Sequence, residues 1–321
     1  MSADEHAAGQ DAPQEQDVLT PDAPESVRAG PVRVGPVQVE ALGPEQLELV
    51  LAALYEAPRE AVAWMAQACT DAWVAFERHE PLGPDGTPQP DGGREVVLGA
   101  VGTRPSPAHG SELLGGVLGG PRRAEAAAAL ARAAWERAGR VYAFAEGHLF
   151  PPEALIEAGF REVGAYRRLE GRVPYRHVDA PEGVTLRPLA GVSVPARLEA
   201  LAAFEDRVGH HAAAPEAAED GAGGFDSHLS VVALDAEGRG VGVCRAAVED
   251  GLGRIDAPGV TVAWRHTNLR AALLNEVNAR LRAAGITRVS VDSWGDTPEE
   301  LAHDLRLGLH VADETPILAF P

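Results

Sequence analysis

Between Gly259 and Leu309 the chain concentrates side chains able to do chemistry: Arg265, His266 and Arg270 crowd one turn, and His303 stands beside Asp304 further on. His266 has two readings, donation to a phosphate or simple exposure to solvent. His210 and His211, with Glu216 nearby, are of metal-ligating type but lack ligand spacing, so no metal is assigned. Cys69 and Cys244 lie far apart in apolar neighbourhoods and read as buried thiols rather than as a disulfide, a metal pair or a nucleophile. All four tyrosines, Tyr55, Tyr142, Tyr166 and Tyr175, precede residue 184.

These residues need elements to position them. From Leu269 the apolar residues Leu273, Leu274, Val277 and Leu281 recur at helical spacing, and the predicted helix stops at Ala284-Gly285, where glycine can take the left-handed cap conformation. Thr287 to Val291 then resumes as a strand. The same succession occurs earlier, with an Ala-rich helix ending at Ala138-Gly139 and a strand from Arg140 to Ala145. Ala138-Gly139 precedes Ala284-Gly285 by 146 residues, and Pro152-Glu153 precedes Pro298-Glu299 by the same 146. Arg122 precedes Arg265 by 143. Three landmarks at nearly one offset predict a duplicated module. Residues 1–30 are polar and should be disordered. Residues 31–174 form the first predicted module, 175–183 the linker and 184–321 the second. Each module is expected to have its own central sheet. Pro36 suits an edge or a bulge, and Pro258 a bulge, because neither supplies a ladder N–H. The loop of Pro, Gly and Asp between the strands at Trp73 to Phe76 and Val96 to Val101 reads as a variable hairpin tip rather than a substrate lid.

In order and spacing, the stretch from Gly259-Val260 through Arg265, Leu273-Leu274 and Pro298 to Gly308-Leu309 resembles the acetyl-CoA-binding core of the GNAT acyltransferase superfamily. Asn268 and Arg270 stand where that family has glycine or alanine, and Leu309 replaces its phenylalanine. The resemblance implies an α/β fold with mixed α+β sheets, as two tandem GNAT-like modules over residues 31 to 321. It implies N-acyl transfer from acetyl-CoA, whose pyrophosphate such a helix start receives. The cofactor-binding set it implies is Val260, Val262, Arg265, His266, Thr267, Asn268, Leu269 and Arg270. For catalysis, Asp256 on the motif strand is the best-placed base candidate, with a solvated or hydrogen-bonded structural aspartate as the equal reading, and Asp304 occupies the family's tyrosine position, where the acid would stand, with His303 beside it. The first module is expected to be degenerate, because Glu125 replaces the motif glycine and Pro121 removes a donor.

Composition narrows the class of partner. The 321 residues carry a formal net charge of −20, which argues against nucleic acid, since a phosphate backbone calls for a basic footprint. The acidity reads as solubility first and as attraction of a cationic amine second. With no long apolar run and an acidic N-terminus, the chain is expected to be cytoplasmic, without a membrane partner. The acceptor would be a small-molecule or polypeptide amine, and a homodimer is compatible with this reading. Two functions stay open: an acyl-CoA-dependent N-acyltransferase, and a tandem scaffold that has lost cofactor binding and serves as a binding or regulatory module.

Overall fold

The computed structural model describes residues 32–88, 93–294 and 297–320; the tail expected at 1–30 lies outside them, as does part of the loop between the third and fourth strands. The first half runs β1 Val32–Val34, β2 Gln38–Ala41, α1 Pro44–Leu54, α2 Arg59–Ala68, β3 Asp71–Pro81, β4 Arg94–Ser106, β5 Gly110–Val117, α3 Arg123–Ala138, β6 Val141–Phe144, α4 Pro152–Glu157 and β7 Arg161–Arg172. The second half repeats the pattern with β8 Thr185–Pro188, α5 Val194–Leu201, β9 Val231–Leu234, β10 Gly240–Cys244, β11 Ala246–Glu249, β12 Leu252–Asp256, β13 Gly259–Val260, α6 Leu269–Ala283, β14 Arg288–Trp294, α7 Pro298–Arg306 and β15 His310–Ala319. Its landmarks fall where the duplication places them. Gly139 caps α3 at φ 78°, Gly285 follows α6 at φ 80°, and proline opens both α4 and α7. No helix of the described residues is long and apolar enough to cross a membrane.

The sheets depart from the expectation of one per module. Among the described residues, eleven strands form a single sheet, in the order β1-β3-β4-β5-β6-β15-β7-β14-β12-β11, with β2 also on β3. The last strand of each half is exchanged. β15 of the second half pairs with β6 of the first, while β7 of the first half pairs with β14 of the second, and β7 and β15 pair with each other. β8, β9, β10 and β13 form a separate sheet. Pro258 marks where the chain leaves one sheet for the other: β12 ends at Asp256 beside β14, and β13 starts at Gly259 beside β10. A residue without an N–H cannot continue the ladder, so the interruption expected there becomes a change of sheet rather than a bulge.

Helices cover both faces. Leu47, Leu51, Val62 and Met65 of α1 and α2 pack on Ala72, Ala100 and Leu114. Ala126, Leu130, Ala131 and Ala134 of α3 pack on the opposite face against Val101, Leu113 and Val117. In the second half, Leu273, Leu274, Val277 and Leu281 of α6 meet Val241, Ile255 and Val291, which is the apolar stripe seen in the sequence. The halves meet through rings. Trp294 lies 5.6 Å from Phe144 and 4.4 Å from Tyr166, and beside them, within the second half, His210 stacks on Phe204 at 5.0 Å. Burial, with Arg207, Arg245 and His211 nearby, pushes the His210 pKa down to about 4, so this ring is a neutral packing element at neutral pH. Gly209 lets the backbone pass here, for a Cβ would stand 2.8 Å from the Phe144 ring.

Candidate active site

β5 and β6 are parallel neighbours that pair only at Ser111–Val141 and Glu112–Tyr142. Beyond that point β6 follows β15, and Ala145 donates to Pro316 O rather than back to β5. A turn at Glu146–Phe150 closes the far end of the gap, where Val117 N–H donates to Leu149 O at 2.9 Å. Gly116 permits this approach, because a Cβ there would lie 2.7 Å from Leu149 O. Between these closures lies a cavity of about 740 Å³. Tyr55 and Trp64 line it from the α1–α2 side and Glu112 from β5, with Glu146 and His148 from the turn and Tyr166 from β7. Trp294 and residues Asp313, Glu314 and Thr315 come from the second half, so strand exchange makes the site composite.

Its polar groups differ in state. Glu112 is buried, and its Oε2 lies 2.6 Å from Nε2 of His211, which belongs to the second half. His211 Nδ1 lies 2.7 Å from Pro105 O, which only accepts, so Nδ1 donates there. Arg104 also approaches Glu112 Oε2, at 3.9 Å. Glu146 is half-buried and, among the described residues, has no arginine partner; its ionic neighbour is His148 at 3.7 Å. Burial raises its pKa, with His148 lowering it and Glu112 raising it further. Burial also keeps the Tyr55 hydroxyl neutral, and the Gly115 N–H bonds to its oxygen, which leaves the hydroxyl proton available to donate. Tyr166 instead donates to Asp292 Oδ1 at 2.9 Å.

The residues expected to form the site lie elsewhere. Asp256 is buried and takes two hydrogen bonds from Arg245, at 3.0 and 2.6 Å. Asp304 is fully buried and takes two from Arg270, at 2.9 and 2.8 Å, with His303 at 3.0 Å. Burial alone would raise the Asp304 pKa, but the Arg270 and His303 hydrogen bonds hold it below the ordinary value, so the group is a carboxylate and not an acid. Neither aspartate lines the central cavity. Arg265 is committed too. Its guanidinium holds Asp206 at 2.6 and 2.5 Å and also donates to Val260 O and Ala203 O.

The turn ahead of α6 is closed on itself. Trp264, Arg265 and Thr267 donate their N–H groups to Thr261, Val262 and Trp264 carbonyls, and Leu269 donates to Thr267 Oγ1. Asn268 Nδ2 reaches Asp179 O at 2.8 Å. Val260 and Leu269 are buried in the core, while Val262 and His266 are exposed. Its arginines are neutralised by carboxylates, while the N–H groups of His266, Asn268 and Ala271 have no acceptor among the described residues and no side chain caps α6. The start of α3 is alike in its donors and, through Arg123 to Gly147 O, borders the cavity. The N–H groups of Gly119, Gly120, Ala124 and Glu125 have no acceptor among the described residues, and no side chain caps the helix. The Glu125 carboxylate is held by Arg122, at 2.6 and 2.9 Å, and by the Val37 N–H.

Sequence reasoning thus missed the cavity, whose walls come from segments remote in the chain. One signal was present: all four tyrosines precede the second half, and two of them, Tyr55 and Tyr166, line the cavity. Both cysteines are free; burial pushes the Cys69 thiol up to about 12, and Cys244 is fully buried.

No protein-family model matches the chain, and no curated protein matches it in sequence. Its fold is nevertheless that of known structures. It is similar to a GCN5-related N-acetyltransferase from Sphaerobacter thermophilus, with 18% identity over 88% of this chain and 95% of that one and a TM-score of 0.50. It is also similar to a conserved protein of unknown function from Enterococcus faecalis V583 named a probable N-acyltransferase, with 11% identity over 89% of this chain and 72% of that one and a TM-score of 0.55. The chain has a GNAT fold, built as two modules in tandem.

Proposed function

We propose that this protein is an N-acyltransferase that moves an acyl group from acetyl-CoA to an amine, with the acceptor in the central cavity and the diphosphate of acetyl-CoA at the start of α3. The parting of β5 and β6 carries this reading, since it sets a carboxylate and a tyrosine in a cavity beside a helix start with free N–H groups. Acetyl-CoA would supply the acyl group as a thioester. Glu146, whose pKa burial raises, is the group to take the proton from an ammonium, and Tyr55 is the group to protonate the departing sulfur. The turn at Gly147–Leu149 must give way to admit the thioester arm, because Arg123 bonds Gly147 O and Val117 bonds Leu149 O between the helix start and the cavity.

In this reading residues 31–174 form the catalytic module and 184–321 the module that completes its walls. Residues 175–183 connect the two; they hold no helix or strand. The α6 turn, with the eight residues from Val260 to Arg270 once expected to bind the cofactor, is then structural. Titration of the full chain with acetyl-CoA separates the alternatives. Ala124 is exposed in the first turn of α3, so Ala124→Asp should favour the helix dipole while repelling a diphosphate. Affinity should fall roughly tenfold or more in Ala124→Asp with thermal stability kept, and should stay within about twofold in Arg265→Ala. The opposite pattern moves the cosubstrate to the second module. Absence of binding to the native protein leaves the non-catalytic scaffold.

A further inference from the structure

The central cavity holds features that select among amines. Its aromatic faces are Trp64, Phe144, Tyr166 and Trp294, and no arginine lines it among the described residues. Of its four carboxylates, Glu314 is held by Arg167 at 2.5 Å, and Glu112 is paired with His211 at 2.6 Å and approached by Arg104 at 3.9 Å. Among the described residues, Glu146 and Asp313 have no arginine partner. Asp313 is exposed at the mouth, whereas Glu146 is half-buried within. A cation between aromatic faces and an uncompensated carboxylate is attracted by both, while an anion meets repulsion from the carboxylates and from the negative ring faces. The volume of about 740 Å³ suits a small molecule rather than a folded polypeptide segment.

We propose that the acceptor is a small primary amine on an apolar, preferably aromatic body that carries no carboxylate of its own, its ammonium on Glu146 and its body among Phe144, Tyr166 and Trp294. This rests on the acyl-acceptor reading of the cavity. In transfer, the amine N–H bond breaks and its proton passes to the Glu146 carboxylate. The nitrogen pair so freed forms the bond to the thioester carbonyl carbon, the carbon–sulfur bond breaks, the sulfur leaves with the Tyr55 proton, and a second proton passes from the nitrogen to the Tyr55 oxygen. Atoms and charge balance, and the amide is neutral.

The test is a matched series titrated into the full chain at neutral pH, followed by the fluorescence of the cavity tryptophans: 2-phenylethylamine, phenylalanine and 3-phenylpropionate. Phenylethylamine should bind at least roughly tenfold more tightly than phenylalanine, and phenylpropionate should not saturate. Glu146→Gln should weaken phenylethylamine roughly ten- to a hundredfold, the loss of one charge-assisted hydrogen bond, while its thermal transition stays cooperative. Equal or tighter binding of phenylalanine, an unaffected Glu146→Gln variant, or no saturable binding of phenylethylamine at millimolar concentration overturns the proposal. Thiol release from acetyl-CoA is measured separately. Amine binding without thiol release removes the acyltransferase and keeps the cation site; thiol release favouring carboxylate-bearing acceptors removes the cation preference and keeps the acyltransferase.

Discussion

Glu146 carries a tension between binding and stability. Its folded-state pKa is raised by burial, so the native state takes up its proton more readily than the unfolded chain does. Between the ordinary carboxyl pKa and the raised folded value, stability therefore decreases as pH rises, and above the folded value the full penalty of a poorly solvated charge is present. Glu146→Gln should consequently raise the melting temperature at neutral pH. The gain should shrink as pH falls through the folded pKa and disappear below the ordinary carboxyl range. Differential scanning calorimetry across that interval checks both the sign and the window, and a loss of stability at neutral pH would mean that the carboxylate has a cationic partner in the folded protein. A single carboxylate of this kind is invisible in sequence. Glu146 sits in Ala145-Glu146-Gly147, a polar turn by composition, and only the return of Leu149 to Val117 turns it inward. Asp256 and Asp304 show the converse, since their positions on the motif strand and closing helix were legible while Arg245 and Arg270, which occupy their oxygens, were not.

At the level of elements, α6 and α7 are joined by charge as well as by packing. Arg270 in the first turn of α6 holds the fully buried Asp304 of α7 in a two-point pair and approaches Glu300 at 3.5 Å, while Arg207 holds Glu300 at 2.9 and 2.7 Å. Removing one member of a buried pair leaves the other charge desolvated, which costs about 3–5 kcal/mol. Asp304→Ala should fall at the lower end of that range, because Glu300 remains beside Arg270. The Asp304 pKa is held below the ordinary value, so its stabilisation is present above the unfolded carboxyl pKa and is lost as pH falls through the folded one. Denaturant unfolding should thus show a deficit in Asp304→Ala at neutral pH that narrows in acid; a deficit independent of pH would assign the effect to packing. Helix existence and caps were legible because periodicity, Ala-Gly stops and N-terminal prolines are local signals, as at Gly139, Gly285, Pro152 and Pro298. The chemistry at the α6 start was not, because it depends on Asp206 and Asp179 arriving from distant segments.

Across the whole molecule, the exchange of β7 and β15 makes the two halves one cooperative object. Alternation identifies each as a strand but not its neighbours, since pairing is non-local and many registers bury the same face. This is why the duplication was readable and the shared sheet was not. Its consequence concerns the first half alone. In a fragment ending at residue 174, β7 loses β14 along Arg288–Trp294 on one edge and β15 on the other, and β6 loses the strand it follows beyond Tyr142. The fragment also uncovers Leu169 and Tyr142, which second-half residues bury; exposing a large apolar side chain costs about 1.5–3 kcal/mol against a total domain stability of about 5–15 kcal/mol, so a few such losses suffice to unfold it. Unpaired strand edges further favour pairing with other chains. Residues 32–174 expressed alone should therefore show no cooperative thermal transition by circular dichroism. Co-expressed with residues 175–321, the same fragment should recover one and co-elute with its complement. A monomeric first fragment with a cooperative transition of its own would show that β7 and the edge of β6 do not need the second half, and that the cavity walls from Trp294 and Asp313–Thr315 are docked onto an independent domain rather than folded into it.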